Sequence, residues 1–259
     1  MLVLLPPSEG KTGPASGSRL KPSTLSFPGL AAPRSRVFDA LIALSSGNKK
    51  KAATVLGLGL KQLDLIDINA RLATAPTAPA IEIYTGVLYD ALEFSTLPAT
   101  ARKRASTRVA ISSALFGLLR PGDLIPQYRL SADTAIPGLG PLAGVWRDSV
   151  QAELRATKGP ILDLRSGAYV KLGPLPAETA DRGFVGRILL EKAGKRSVVS
   201  HHNKATKGLL VREILGASKA PRSADDLPGF VEDLGFQVEV HQPKKPTDPC
   251  GLDIIVYTT

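Results

Sequence analysis

Several short stretches of this chain set basic, hydroxyl and phenolic side chains beside backbone breakers, a combination suited to holding anions at loops. The densest runs from Leu115 to Leu130, Leu-Phe-Gly-Leu-Leu-Arg-Pro-Gly-Asp-Leu-Ile-Pro-Gln-Tyr-Arg-Leu. Its prolines and glycines force tight backbone paths around Arg120, Asp123, Tyr128 and Arg129. The guanidinium groups of Arg120 and Arg129 can grip phosphate oxygens bidentately. The competing use of the same residues is an Arg120–Asp123 pair that locks the loop. A second stretch, Asp163 to Tyr169, offers a carboxylate, the Arg165 guanidinium, the Ser166 hydroxyl and the Tyr169 phenol. Backbone N–H groups at Ser166-Gly167 can face an anion, although a capped β-turn is the commoner use of Ser-Gly.

The third stretch is Ser200 to Gly208, where Lys204 and Lys207 lie one helical turn apart. With Asn203 as the expected cap, the first N–H groups of a helix here favour anions. From Lys192 to Arg222 every Lys, Arg, Asp or Glu is basic except Glu213, the footprint expected for nucleic acid; an exposed helix face is the alternative. A fourth, Val55 to Gln62, has the form of a helix–hairpin–helix element. Gly57 and Gly59 let backbone N–H groups approach a phosphate, Lys61 adds charge, and Lys49, Lys50 and Lys51 precede them. Helix termination at Gly57 is the simpler account. Finally, Pro6 to Thr12 looks like half of a phosphate loop. It lacks the first glycine of the full motif, so no P-loop is assigned, but Lys11 after a strand can still reach a phosphate.

These stretches need elements to carry them. Leu2–Leu5, closed by two prolines, reads as a buried strand. The Gly/Ser/Pro-rich residues 8–35 read as a long surface excursion. Ser35 is the expected cap of a helix through Leu44. Further helix is expected over residues 49–72, broken at Gly57 and Gly59, and over residues 87–92. Residues 108–113 and 160–164 read as strands, and residues 142–156 as an amphipathic helix. Residues 183–190 and 197–201 flank Gly194 as a hairpin, and a helix follows from Asn203. A short helix over 225–234 and strands over 236–240 and 252–257 close the chain. Strands and helices mix without regular βαβ spacing. The expected fold class is therefore α+β or mixed α/β, with no doubly wound sheet, in one compact domain over residues 1–259.

Composition bounds the partners. The 259 residues carry a formal charge of +10, which draws polyanions. The single cysteine, Cys250, fits a reducing compartment, and three histidines with one cysteine give no metal-ligand spacing, so neither metal nor cofactor is expected. No stretch approaches the ~20 apolar residues of a membrane span and the first residues lack a basic leader, so the expected location is the cytoplasm, with no membrane partner.

Taken together, Lys11-Thr12, Tyr84-Thr85-Gly86, Ser113 through Tyr128-Arg129, Trp146-Arg147-Asp148, the Leu162–Tyr169 turn and the Lys204–Gly208 segment resemble the YaaA family of bacterial peroxide-stress proteins. They fall in the family's order and cover nearly the whole chain; Gly117 to Arg129 is the most specific block. The resemblance implies a mixed sheet surrounded by helices, a positively charged cleft and a helix–hairpin–helix element. It implies binding of double-stranded DNA and a role in hydrogen-peroxide stress, limiting the free iron that drives oxidative DNA damage. Two departures stand out. The family's Ser-Pro-Ala-Lys-Thr corresponds to the longer Pro7-Ser-Glu-Gly-Lys-Thr12, which bears Glu9. Asp67, in Ile66-Asp-Ile-Asn69, stands where the family has a glycine.

A second reading is an enzyme acting on a nucleotide or other phosphorylated small molecule. The Arg120–Arg129 loop, the Ser166–Tyr169 turn and the Lys204 segment would then converge on one cleft, with Asp163 the nearest candidate base. A deep pocket favours this reading; a shallow basic groove favours DNA.

Overall fold

The computed structural model describes residues 1–192, 194–197 and 200–257, with backbone only at 200 and 201. In chain order its elements are β1 (Leu2–Leu5), α1 (Ala31–Ser46), α2 (Lys49–Leu56), α3 (Asp64–Ala70), β2 (Thr77–Pro79), α4 (Ala80–Ile83), α5 (Val87–Leu92), α6 (Ala99–Arg108) and β3 (Val109–Ser113). Then come β4 (Gly117–Leu119), β5 (Leu124–Pro126), β6 (Ala135–Ile136), β7 (Gly140–Pro141), α7 (Leu142–Ala156), β8 (Ile161–Asp163) and α8 (Gly167–Val170). The last elements are β9 (Gly183–Lys192), β10 (Lys195–Ser197), α9 (Ser200–Gly216), α10 (Asp226–Asp233), β11 (Gln237–His241) and β12 (Cys250–Tyr257).

One central sheet runs β11-β12-β9-β8-β1-β3-β4, with β10 paired to β9. Its middle is parallel: β1 pairs with β3 and β8, and β9 pairs with β8 and β12. The edges turn antiparallel at β4 and β11. This is the mixed α/β architecture expected, but its parallel middle, with connections leaving β1 and β8 in opposite directions, has the doubly wound character that the irregular βαβ spacing argued against. The apolar runs of β1 and β3 are buried on both faces because helices cover a parallel sheet on both sides. Around the sheet lies a contiguous hydrophobic core.

The sheet's connections define where a ligand can sit. The chain leaves β1 toward β3 on one side and leaves β8 toward β9 on the other, while β1 and β8 lie side by side and parallel. Neighbouring strands whose outgoing connections part in this way leave a crevice beyond their carboxyl ends. The loops that follow β1 and β8 form its walls.

α7 has the bounds expected. Leu142, Trp146, Val150 and Leu154 recur every fourth residue and bury one stripe, and Trp146 Nε1 donates to the Ala114 carbonyl at 2.9 Å. Other expectations need correction. Ser35 does not start α1. The helix begins at Ala31, directly after a turn at Pro28–Leu30, and Ser35 Oγ donates to Asp39 Oδ2 at 3.2 Å from within it. Pro33 falls in the first turn, where its missing N–H costs no helical bond. Asn203 is likewise not a cap, since α9 already runs from Ser200. The hairpin's second strand is β10, 195–197; of the expected 197–201 strand, residues 200 and 201 are helical, and 198 and 199 lie outside the described residues.

Candidate functional site

The crevice at the ends of β1 and β8 is a cleft of about 860 Å³. One wall is the loop Pro6–Gly10 after β1, and another is Arg165–Val170 after β8. Thr85 to Tyr89 at the start of α5, Val185 to Arg187 of β9, and Asn203, Lys204 and Lys207 of α9 complete the lining. α5 and α9 meet closely because residue 208 is glycine: a Cβ there would sit 2.2 Å from the Leu88 carbonyl oxygen. That close approach brings the α9 lysines to the cleft.

Behind the cleft Asp163 and Arg165 form a buried pair. Asp163 Oδ1 accepts from the Arg165 backbone N at 3.0 Å and from Nε at 2.9 Å, and Oδ2 accepts from Nη2 at 2.6 Å. Arg165 Nη1 is buried and, among the described residues, has no partner. Lys207 is 8% exposed, and its Nζ donates to the Leu164 carbonyl at 2.8 Å. An ammonium has three donors, so one carbonyl leaves it under-satisfied. Burial pushes its pKa down, Asp163 opposes that, and Lys204 adds to it. Lys204 is exposed and, among the described residues, has no carboxylate partner. Arg187 on the opposite wall is held by Asp253, which also contacts His241 Nε2 at 2.8 Å. Among the described residues Glu9 is the only carboxylate in the lining, against Arg165, Arg187, Lys204 and Lys207.

The rim connects to the end of α3. Arg129 Nη1 holds Glu9 Oε2 at 2.6 Å, and Arg129 Nε is buried without a partner among the described residues. The Arg129 backbone exchanges two bonds of 2.8 Å with the Asn69 side chain at the end of α3. α2 and α3 are joined across Gly57, left-handed at φ 62°, and Gly59, followed by a short turn at Leu60–Gln62 that contains Lys61. Here Asp67 is paired with Lys49 at 2.6 Å, so it neutralises one of the three clustered lysines.

The sequence candidates therefore divide. Arg165, Ser166, Tyr169, Lys204 and Lys207 line the cleft together. Arg129 braces it from behind through Glu9. Lys11 lies under the same loop: its Nζ donates to the Ser8 carbonyl at 2.6 Å and sits 4.6 Å from the Tyr128 ring centroid. Burial pushes its pKa down to about 8, opposed by Glu9 and aided by Arg129. Tyr128 is in the core, its hydroxyl bonded to those of Tyr84 at 2.9 Å and Ser113 at 2.8 Å. Arg120 does not line the cleft. Its Nη1 donates to the carbonyls of Thr107 and Val109, and Asp123 accepts only its backbone N–H, so among the described residues the loop is held without the expected Arg120–Asp123 ion pair. The expected convergence thus joins the Ser166–Tyr169 turn and the lysines of α9, without Arg120. Tyr89, Gly86 and Arg187 were not singled out as site residues. Their cue was the Tyr84-Thr85-Gly86 block for the first two; nothing local marks Arg187, which alternation along β9 alone turns toward the cleft. Among the described residues, no group of three or more His, Cys, Asp or Glu side chains is placed to hold a metal ion, and no helix is long and apolar enough to cross a membrane.

The fold and cleft together define an α/β protein with a crevice at the switch point of its sheet, its lining including Glu9, Arg165, Arg187, Lys204 and Lys207. Residues 1–242 match the family model described as "Peroxide stress protein YaaA". A UPF0246 protein of Streptomyces coelicolor is 44% identical over 259 residues, 99% of each chain. A UPF0246 protein of Corynebacterium efficiens is 39% identical, covering 95% of this chain and 98% of its own. The chain belongs to the YaaA family of peroxide stress proteins.

Proposed function

We propose that this chain binds DNA through its phosphates as part of the response to peroxide. The observation that carries the reading is the pair Lys204 and Lys207, which face the cleft with no ion-paired carboxylate among the described residues. Lys50 and Lys51, exposed on α2, can add phosphate contacts, whereas the Gly57 and Gly59 N–H groups already donate to the Thr54 carbonyl and to Gln62 Oε1. Binding of this kind is sequence-independent and releases counterions, so affinity falls steeply with salt. The cellular role we assign is the family's: limiting the free iron that drives oxidative DNA damage.

The test is binding of fluorescent duplexes of several sequences at low and high salt. Lys204→Ala together with Lys207→Ala weakens binding to all of them and lowers the slope of log K against log salt by about 0.9 for each phosphate no longer neutralised. Because Lys207 is buried, Lys204→Ala alone is the cleaner variant. Unchanged binding by both, with the fold intact, removes these residues from the interface.

The depth of the cleft favours a second reading, turnover of a phosphorylated small molecule. Asp163 is committed to Arg165, which leaves Glu9 as the carboxylate facing a ligand. Salt-resistant binding of a free nucleotide without duplex affinity would favour it over the DNA reading.

A further inference from the structure

We propose that this chain associates head to tail with a second copy of itself, the tip of the turn between α2 and α3 entering an acidic pocket beside β9, β11 and β12 of the next copy. Neither surface belongs to the cleft.

The pocket has a volume of about 470 Å³ and lies where β9 and β12 begin, Phe184 and Cys250 being paired there. Phe184 lines it, and alternation along β9 turns the next residue, Val185, to the cleft, so pocket and cleft lie on opposite faces of that strand. Phe184, Pro228, Pro243 and Pro246 give the pocket apolar walls. Asp181, Asp225 and Asp248 stand around them, all three exposed. Among the described residues no Lys, Arg or His shares the lining, and none of the three carboxylates has an ion-pair partner. In a chain of formal charge +10, this pocket presents unneutralised negative charge.

The chain itself carries the complement. Leu60 is 89% exposed at the start of the Leu60–Gln62 turn, whereas Leu58 and Leu63 on either side of it pack against the core. Lys61 follows it, exposed and without a carboxylate partner among the described residues, and the adjoining α2 carries Lys50 and Lys51. A single exposed leucine is ordinary on a protein surface. The match is what singles this one out: an apolar tip beside cations, and an apolar pocket beside carboxylates. A cube of about 470 Å³ has an edge of about 7.8 Å, which excludes a helix, ~10–12 Å across with its side chains, and admits the tip of a turn. Like charge repels two copies over the rest of their surfaces, so this pairing also sets their orientation. Knob and pocket are different surfaces, so each docking leaves one of each open, and the assembly grows or closes into a ring. One turn tip in one pocket makes a contact of the small, transient class, weakened further by salt.

The experiment is sedimentation velocity of the whole chain without DNA, from about 10 to 500 µM, at low and high salt. The mean mass is expected to rise with concentration at low salt and to fall back toward the monomer at high salt. Leu60→Asp removes the knob, and Asp225→Lys together with Asp248→Lys removes the pocket's charge. Each variant is expected to stay at the monomer mass with its thermal unfolding unchanged, since all three positions are exposed. An equal mixture of the two variants is expected to form dimers and nothing larger, because one intact knob and one intact pocket remain between them. An unaltered chain that stays monomeric throughout overturns the proposal. So do variants that still associate, and so does a mixture that stays monomeric.

Discussion

Asp163→Asn tests whether a buried ion pair organises the cleft. Both side chains of the Asp163–Arg165 pair are at most 1% exposed, so water cannot replace a missing partner. Asparagine keeps the shape but removes the charge. With its remaining oxygen at the Oδ1 position it can still accept from the Arg165 backbone N and Nε. Its NH₂ then faces Nη2, 2.6 Å from the atom it replaces, donor against donor. Turning the amide over loses two bonds to keep one. Removing one partner of a buried pair costs about 3–5 kcal/mol because the other charge is stranded. Among the described residues Nη1 is already unpartnered, and the neighbouring cation Lys207 offers no compensation. The expected loss is in the upper part of that range. At ~2–4 °C per kcal/mol for a chain of this size, a loss of about 4–5 kcal/mol lowers the melting temperature by ~8–20 °C. Urea unfolding with an unchanged slope measures the same loss. The paired replacement Asp163→Leu with Arg165→Met removes both charges and should recover most of it, since buried pairs and apolar isosteres are close in energy. A loss below ~1 kcal/mol for Asp163→Asn, or a double variant no better than the single one, would refute the reasoning.

Other expectations are simpler to read. Gly208→Ala forces a Cβ into the Leu88 carbonyl and should destabilise by about 1–3 kcal/mol despite alanine's better helix propensity; a stabilised variant in thermal unfolding would contradict the packing of α5 on α9. Trp146→Ala removes a fully buried ring and the bond to the Ala114 carbonyl, for an expected loss of about 3–5 kcal/mol in denaturant unfolding. The pH dependence has a fixed sign. The Lys11 pKa is pushed down to about 8, so between there and its ordinary value near 10.5 the unfolded chain binds more protons and stability rises with pH. Lys11→Met should flatten that rise in unfolding free energies measured from pH 7 to 10. Above about pH 10 the sign reverses, because burial pushes the phenols of Tyr84, Tyr89, Tyr128 and Tyr169 up and they ionise first in the unfolded chain.

Local pattern carried much of this molecule. The apolar tetrapeptide at the start could only be a buried strand, the four-residue spacing from Leu142 to Leu154 could only bury one helical stripe, and Gly57 ended α2 with the left-handed residue that helices favour there. Where signals conflicted, the local reading failed: the Gly/Ser/Pro-rich run read as a surface excursion through residue 35 and Ser35 read as a cap, which hid the true start of α1 at Ala31, and Asn203 looked like a cap inside a helix already running. Family resemblance was legible because several of its blocks, Lys11-Thr12, Gly117–Arg129 and the Leu162–Tyr169 turn among them, follow strands in loops that keep their chemistry in short contiguous motifs, while Trp146–Asp148 and Lys204–Gly208 lie inside α7 and α9. Charge and residue type likewise nominated Arg120, Arg129, Arg165 and the α9 lysines as equals. Sequence spacing could not rank them, because each guanidinium or ammonium has either a carbonyl or a ligand as its natural partner. Tertiary structure decided. It gave Arg120 two backbone carbonyls, tied Arg129 to Glu9, and left Arg165 and Lys207 beside the cleft with donors unfilled among the described residues. The cleft itself depends on strand order. β1 and β8 are more than 150 residues apart in the chain, and only their side-by-side pairing, with exits to opposite sides, opens a crevice between the loops that follow them.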